Sequence, residues 1–520
     1  MNHIELFAGC GGLSLGLETA GFELLIANEL SPMAAETFAY NHLNANLEKK
    51  KNLDKVYWIS SGYPRDEFTA RLRENPNNAS GLKKNHYSDL LDLNHTDKQL
   101  KRSLFVGSIV DLNKILEKRN NGLSKQLRTA LGKGEVDLVS GGPPCQSFSL
   151  AGLRQHSNDR NQLPWEFVKF VEKVKPKIAM LENVSGILRA FKIEDKKFYA
   201  WFEVSKAFAK VGYIPLCLHI NAKYVGTAQN RPRFILLALR KDIFKRFKSN
   251  CKDATLLEAF KASEKLYTNI SKRNDPEYGS LPYFDITKDS ELFSGEVLSQ
   301  LKTHSSDDFV SVKDALDDLR PSVRKVSAYV KRINNVYAKH HKHEEEKTLN
   351  HDPRRNNNRV RARFRVYQIM CKLPKATAKE ISSFIKSEGA TEVSESTLRA
   401  FEGYWLLDIS GNKIDSPSKK KVLILLNQIY TKKQTQKALI ADAPAPAALS
   451  IPDDACHYHE SVEEQRTLTV REMARIQSFP DWFEIKSKVT TGGQMRRFEV
   501  PQYTQIGNAV PPLLGIALGN

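Results

Sequence analysis

The 520-residue chain has no apolar run approaching the ~18 residues that would cross a membrane. Its opening residues, Met1-Asn-His-Ile-Glu-Leu-Phe7, carry no basic stretch ahead of an apolar core. A secretory leader is therefore not expected, and the segment reads as the first strand of a folded unit. Cysteine is sparse: six residues (10, 145, 217, 251, 371 and 456), none in a CxxC pair. That excludes a disulfide framework and points to a reducing compartment. No repeat recurs at solenoid or propeller spacing. Acidic residues are in deficit, 60 Asp and Glu against 79 Lys and Arg, giving +19. With 41% hydrophobic residues, enough for a buried core, this surplus implies a polyanionic partner, nucleic acid or a membrane surface.

What is present is an alternation of short apolar strands with helical segments. Strands are expected at 3–8, 22–27, 136–140, 177–181, 213–220 and 234–239, and helices at 13–20, from Ser31-Pro32, at 163–174 and at 201–211. Ser31 is the expected N-cap, with Pro32 at the first helical position. This order predicts an α/β fold, a mostly parallel, doubly wound Rossmann-like sheet with ligands at the carboxyl ends of its strands. Two stretches interrupt it. Residues 44–103 are polar and Asn/Lys-rich, an insertion, and 241–465 lack the alternation, with 441–448 resembling an extended connector. The expected division is an α/β unit over 1–240, a large inserted unit over 241–465, and a patterned segment over 466–520.

Phe7-Ala-Gly-Cys-Gly-Gly-Leu-Ser-Leu-Gly16 follows the first strand and opens the first helix. Its glycines permit a tight turn and close approach to a ligand, and Glu29 ends the second strand, where a carboxylate can hold ribose hydroxyls. Ser14 stands where the third Gly of GxGxxG would be, which argues against a nicotinamide-dependent oxidoreductase. Gly141-Gly-Pro-Pro-Cys-Gln-Ser-Phe-Ser149 carries a strand into a rigid loop. Cys145 there, at a strand's carboxyl end, has the setting of a nucleophile, whereas Cys217 in Ile-Pro-Leu-Cys-Leu has that of a core residue. Taken alone, Glu182 could cap or salt-bridge at a strand end, and Arg231 and Arg233 could be a solvated pair opening an edge strand.

These segments, with Glu182-Asn183-Val184, Gln229-Asn-Arg-Pro-Arg233, Leu468-Thr-Val-Arg-Glu-Met-Ala-Arg-Ile-Gln-Ser-Phe-Pro480 and Gln505-Ile-Gly-Asn-Ala-Val-Pro-Pro512, occur in one order. Together they resemble the motif series of the C5-cytosine DNA methyltransferases, across about 1–240 and 466–520. The resemblance implies methyl transfer from S-adenosylmethionine, leaving S-adenosylhomocysteine, to C5 of a cytosine flipped out of duplex DNA. It gives Cys145 addition at C6, Glu182 a hydrogen bond to N3 from its protonated form, Arg233 a donor role at O2, and Arg231 the bracing of the catalytic loop or a phosphate. It assigns the cofactor to Phe7, Gly9, Gly11, Gly12, Glu29, Ser108, Ile109, Pro144 and Asn508. Ser108 departs from the family, which usually has an acidic residue there, and Asp111 is the alternative contact. Residues 146–165 resemble the loop that closes over DNA, with Gln146, Ser149 and Arg154 as DNA contacts.

Residues 241–465 stand where the family carries its target-recognition unit. Residues 321–380 hold 16 Lys/Arg against 5 Asp/Glu, +11 of the chain's +19. Arg354, Arg355, Arg359, Arg361 and Arg363 are expected to face DNA, chiefly its phosphates, and Asn356 to Asn358 could read adenine. Residues 376–387 and 394–406, around Gly389, could form a helix-turn-helix or an ordinary helical hairpin. The His and Cys residues match no structural zinc spacing, and no metal is expected. The expected function is a sequence-specific DNA (cytosine-5-)-methyltransferase of a restriction-modification or phage-defence system. Its expected partners are double-stranded DNA and a cognate restriction endonuclease or other defence proteins, with no membrane. The alternatives are a tRNA cytosine methyltransferase of the same family and a catalytically silent DNA-binding member.

Overall fold

The computed structural model describes residues 1–59, 61–76, 92, 100–117, 122–144, 162–193, 196–320, 323, 325–341, 348–389, 392–447, 455–493, 495 and 498–520. Strand β1 (Asn2–Leu6) is buried along its whole length. Its two-residue period sends Ile4 and Leu6 to one face of a sheet and His3 and Glu5 to the other. Helix α1 (Gly12–Thr19) covers the second face, where its Ser14 hydroxyl donates to Glu5. Burial pushes the Glu5 carboxyl up to about 8, so the pair is held as a neutral hydrogen bond around neutral pH rather than a buried charge.

Among the described residues nine strands form one sheet. They are β1, β2 (Glu23–Glu29), β3 (Val56–Trp58), β4 (Ser103–Val106), β5 (Leu138–Gly141), β6 (Ile178–Val184), β7 (Tyr213–Asn221), β8 (Pro232–Arg240) and β9 (Phe284–Asp285). Their order is β9-β7-β8-β6-β5-β1-β2-β4-β3. All neighbours are parallel except that β8 runs antiparallel to both β6 and β7. This is the expected doubly wound α/β sheet, with apolar cores on both faces. One core joins Leu13 and Leu17 of α1 to Leu216, Leu218 and Ile235, and the other joins Ile4 and Leu6 to Phe105, Leu181 and Phe234.

Several local expectations are corrected. Helix α2 (Pro32–Leu43) starts where Ser31-Pro32 predicts, but the Ser31 side chain makes no cap; its backbone N–H donates to Glu29 instead. The 44–103 insertion adds β3 to the sheet edge and a short helix, α3 (Phe68–Arg73), tied down by a buried Arg71–Asp92 ion pair. Residues 441–447 are not a free connector. Val312 and Lys313 donate backbone bonds to Ala443 and Ala441, and Ala445-Pro446 pairs with Gln229-Asn230. Residues 448–454 lie outside the described chain.

Within 241–465, helices α4 (Lys241–Asn250) and α5 (Ala254–Ser271) pack on the sheet through Phe244, Leu256 and Phe260, and β9 extends its edge. A separate core gathers Phe364, Ile369, Ile381, Phe384, Phe401, Leu425 and Ile429. At its centre is α6 (Asn358–Met370), packed near α7 (Lys375–Lys386). A second helix over 394–406 is not found. One turn, Glu395–Arg399, is followed by Leu406-Leu407 in a small antiparallel pair with Lys413-Ile414. That turn is too short to act as the second helix of a helix-turn-helix.

The chain ends meet. Asn508 closes α8 (Gln502–Asn508), because Pro511 and Pro512 cannot continue it; Pro512 then starts α9 (Pro512–Gly519). Helix α9 lies on α1 so closely that a Cβ on Gly16 would stand 2.4 Å from the Pro512 carbonyl oxygen and 2.5 Å from the Gly515 Cα. Both are backbone atoms and cannot rotate away. Gly16→Ala should therefore lower stability by about 1–3 kcal/mol, although Ala is the better helix former by about 1 kcal/mol. Denaturant unfolding checks the sign; an unchanged or raised midpoint would mean that this helix contact is not as close as described.

Candidate active site

The carboxyl ends of β2, β1, β5 and β6 are aligned by register, Asn28 beside Leu6, Leu6 beside Gly141, and Gly141 beside Leu181. The loops that leave these ends build the site. After β1 the backbone turns through positive φ at Phe7 (55°), Gly9 (56°) and Gly11 (94°). The Gly9 N–H donates to Glu29 Oε2 at 2.8 Å and the Ser31 N–H to Glu29 Oε1 at 2.8 Å. One carboxylate thus fastens both the glycine loop and the start of α2. Burial pushes the Glu29 carboxyl up, and the two backbone donors oppose that.

A prop beneath this loop was not anticipated. His42 of α2 meets Glu18 Oε2 through Nδ1 (2.7 Å) and the Gly11 carbonyl through Nε2 (3.1 Å). A Cβ on Gly11 would stand 2.3 Å from that imidazole, so Gly11 is needed for its φ and for this contact. Burial alone would push the Glu18 carboxyl up, but His42 and Arg102 outweigh it and hold it near 2. Nothing in the sequence spacing brings His42 to Gly11, because the contact depends on how α1 and α2 pack.

Gly12, expected at the cofactor, is a packing glycine: a Cβ there would meet the Val510 carbonyl oxygen at 2.3 Å. Ile109 is buried at the start of a helix spanning Ile109–Glu117, and the Ser108 hydroxyl accepts from the Val110 N–H. Asp111, the alternative contact, pairs with Lys114 in the first turn of that helix. Asn508 is exposed at the end of α8, and Pro144 is exposed at the end of the described loop. Cys145, Gln146, Ser149 and Arg154 lie outside the described residues.

Leading to Cys145, the loop after β5 passes against β6. A Cβ on Gly142 would stand 2.7 Å from Glu182 Oε2, and the Asn183 amide donates to the Pro143 carbonyl at 3.0 Å. Glu182 and Arg233 lie on one sheet face as diagonal neighbours, since Val184 pairs with Arg233 and Glu182 with Ile235. Arg233 Nε stands 2.6 Å from Glu182 Oε1 in an almost fully buried ion pair. Burial pushes the Arg233 guanidinium down, opposed by Glu182. The site therefore brings a backbone without side chain, a carboxyl group and a bound guanidinium to the point from which Cys145 departs. Two other thiols are unsuited to attack: burial pushes Cys10 and Cys217 up to about 12.

Arg231 is placed differently from expectation. Its guanidinium donates to the carbonyls of Gly507 (2.7 Å) and Ala509 (2.8 Å), so it grips the C-terminal segment rather than the catalytic loop or a phosphate.

The arginine cluster also divides. Helix geometry turns alternate residues by about 200°, so Arg359, Arg361, Arg363 and Arg365 of α6 cannot share one face. Arg355 and Arg359 are exposed. Arg354 stacks its guanidinium 5.9 Å from the Tyr503 ring. Arg361 donates to the Val462 carbonyl and to Asn358. Arg363 is buried and donates to the Ile429 carbonyl and Gln436, so it is a core residue rather than a DNA contact. The asparagines are occupied too: Asn356 accepts from the Thr467 N–H, Asn357 caps α6, and Asn358 donates to the Ser410 carbonyl.

The C-5 cytosine-specific DNA methylase family matches residues 1–68 and 108–520, leaving out 69–107, which holds most of the 44–103 insertion and all of β4. The type II methyltransferase M.DdeI of Desulfomicrobium norvegicum is 24% identical over 518 residues, covering 100% of this chain and 87% of that protein. The putative type II methyltransferase M.OihORF3336P of Oceanobacillus iheyensis is 22% identical over 539 residues, 99% of this chain and 94% of its own. The type II methyltransferase M.NgoPII of Neisseria gonorrhoeae is 30% identical over 244 residues, 47% of this chain and 49% of its own. With a match over nearly its whole length, this chain belongs to the C-5 cytosine-specific DNA methylase family.

Proposed function

We propose that this DNA cytosine methyltransferase uses Cys145, Glu182 and Arg233 to methylate C5 of a cytosine flipped out of a specific duplex sequence, with S-adenosylmethionine as donor. The observation that carries the reading is the buried Glu182–Arg233 pair under the side-chain-free backbone of Gly142, three residues before Cys145. Cytosine C5 is a poor nucleophile until a thiolate adds at C6. In the proposed addition the Cys145 sulfur forms a bond to C6, Glu182 in its protonated form donates to N3, and Arg233 donates to O2. Without substrate each of these two side chains satisfies the other. An entering base would replace that ion pair with hydrogen bonds of its own, so neither group is left buried and unpaired. After methyl transfer a base removes the C5 proton and the C6–sulfur bond breaks.

The residues present fit the cofactor. The positive-φ turn leaves open space at Gly9 for close approach, and the Glu29 carboxylate, with lone pairs beyond those used by Gly9 and Ser31, can accept from ribose hydroxyls. When bound, S-adenosylmethionine would supply a methyl group on a sulfonium. Flipping the base costs on the order of a few kcal/mol, which contacts from the loop carrying Gln146, Ser149 and Arg154 would offset. The unit built on α6 would present Arg355 and Arg359 to DNA phosphates. A cognate restriction endonuclease or other defence proteins would be its partners in the cell. No described helix is long and apolar enough to cross a membrane.

Duplex DNA carrying 5-fluorocytosine at the target should trap the enzyme covalently through Cys145, because fluorine cannot leave as the C5 proton does. Peptide mapping of the adduct checks this, and bisulfite sequencing of DNA from expressing cells gives the sequence context. Methylation that survives in Cys145→Ala would sink the mechanism.

The arginines should separate by position. Arg355→Ala with Arg359→Ala should shallow the dependence of log K on log salt by about 0.9 for each phosphate no longer neutralised, with little change in stability. Arg363→Ala should leave that slope alone and cost about 1–3 kcal/mol of stability, since it orphans two buried acceptors. Salt-titrated DNA binding and denaturant unfolding on the same variants decide the matter. Equal slopes for the exposed pair and the unmodified protein would remove that surface from the interface.

A further inference from the structure

The antiparallel pair of Leu406-Leu407 with Lys413-Ile414 ends in a turn that none of the methyl-transfer motifs accounts for. Its base is fixed in the core of the inserted unit. Leu406 and Leu407 are buried there, and Trp405 just before them stacks on the Arg365 guanidinium (4.1 Å), whose Nε donates to the Trp405 carbonyl (3.0 Å). Its tip is fixed as well. The Asp408 N–H donates to the Asn412 carbonyl (3.0 Å), and the Gly411 N–H donates to the Asp408 carbonyl (3.1 Å). The Asp408 carboxylate accepts from the Ser410 and Asn412 N–H groups (2.9 and 2.8 Å) and from the Asn412 amide (3.1 Å). Gly411 closes the turn at φ 95°, the left-handed conformation with which short hairpin loops end. A Cβ there would stand 2.8 Å from the Asn358 amide, which donates to the Ser410 carbonyl at 2.7 Å. The turn is thus seated on the first residue of α6.

That seat sets the tip beside cations. Arg359 follows Asn358 directly, Arg355 lies shortly before it, and both are exposed. Asp408, the acidic group of the turn, directs both carboxylate oxygens into the turn itself, and the neighbouring Lys413 pairs with Asp415. At the apex stands Ile409, apolar and 41% exposed. An exposed isoleucine alone is ordinary, but this one is held out by a braced turn next to two exposed arginines. Duplex DNA meets both features, with phosphates for the arginines and base edges that include the thymine methyl for the isoleucine. The major groove, about 12 Å wide, admits a two-stranded ribbon whose strands lie about 4.8 Å apart, and the minor groove, about 6 Å wide, does not. A tip already rigid loses little freedom on entering. We propose that this hairpin is a sequence-reading element, its tip entering the major groove with Ile409 packed on a base edge while Arg355 and Arg359 hold phosphates beside it. This rests on the inserted unit binding duplex DNA.

The test separates reading from holding. Bisulfite sequencing with the full chain gives the target, and duplexes that differ from it by one base pair then give a ratio of methylation rates at each position. Ile409→Ala should lower that ratio about three- to ten-fold at one position or two adjacent ones, and leave the salt dependence of DNA binding unchanged because it removes no cation. Arg355→Ala with Arg359→Ala should do the converse, a shallower salt dependence with the ratios kept. Ile409→Asp should weaken duplex binding about ten-fold or more, since it sets a charge of the phosphates' sign at the groove. Ile409 is exposed, so neither of its variants should move the unfolding midpoint, and both should bind S-adenosylhomocysteine as the unmodified protein does. Ratios unchanged at every position in Ile409→Ala overturn the proposal, as does unchanged duplex binding in Ile409→Asp. An equal loss at all positions together with a lowered midpoint also overturns it, because the hairpin would then act only through the fold. Failure of the unmodified protein to bind duplex DNA would remove the DNA reading and the hairpin's part in it together. Sequence-selective methylation that both Ile409 variants leave intact removes the hairpin alone.

Discussion

The grip of Arg231 on the carbonyls of Gly507 and Ala509 is the interaction on which the catalytic unit depends. Arg231 immediately precedes β8 and is 1% exposed, and among the described residues it has no carboxylate at hydrogen-bonding range. Burial pushes its guanidinium well down from the ordinary range, so the site is an expensive place for a cation unless strong acceptors meet it. The acceptors come from backbone at the end of α8, where helix carbonyls lack intrahelical donors and carry the negative end of the helix dipole. The same segment brings the Val510 carbonyl onto Gly12 and α9 onto Gly16. A long excursion of chain is thereby returned to within contact of the first helix, and the glycine loop after β1 is backed by residues from both ends.

That closure explains why two insertions leave the site intact. The entropy of closing a flexible loop grows only with the logarithm of its length, so a long excursion costs little more than a short one once its ends are fixed. Here the ends are fixed by sheet and by backbone bonds: Arg240 ends β8, and residues 441–446 are tied to Lys313, Val312 and Gln229-Asn230 before the chain returns. The 44–103 insertion is likewise held at both edges, by α2 before it and β4 after it.

Much of the sheet was legible because each strand is apolar and bounded by Gly, Pro or Asn, and the site was legible because its residues sit where strands end. Glu182, Arg233 and Glu29 illustrate this: register alone brings the first two to one face, and Glu29 ends β2. The Arg run in 354–365 misled for a physical reason. Charge summed along a sequence says nothing about direction, and α6 is enclosed on more than one side, so Arg363 and Arg365, on different faces, are both buried and satisfy backbone carbonyls and Glu460. The Ala/Pro stretch misled because composition reports what a segment could do without partners, whereas its carbonyls found donors at Val312 and Lys313. The contacts His42–Gly11 and Trp58–Val106 were illegible because they depend on helix packing and on a strand donated from outside the motif series.

The electrostatic plan of the site follows from the same separation of motif and context. The motifs place acidic groups, Glu5, Glu18, Glu29 and Glu182, at the carboxyl ends of strands or on the first helix, all of them buried or nearly so. Burial pushes the carboxyls of Glu5 and Glu29 up and works against the charge on Glu18. The chain resolves each one differently. Burial keeps Glu5 neutral beside Ser14, His42 and Arg102 hold Glu18 charged, backbone N–H groups of Gly9 and Ser31 meet Glu29, and Arg233 pairs with Glu182. In the proposed mechanism the last of these partners would exchange its bond for one to an incoming base, while the other three are fixed by packing elsewhere. A buried carboxyl paired with a guanidinium that a ligand can replace is what the proposed addition needs, and the Glu182–Arg233 pair stands beside Gly142 in the loop that follows β5.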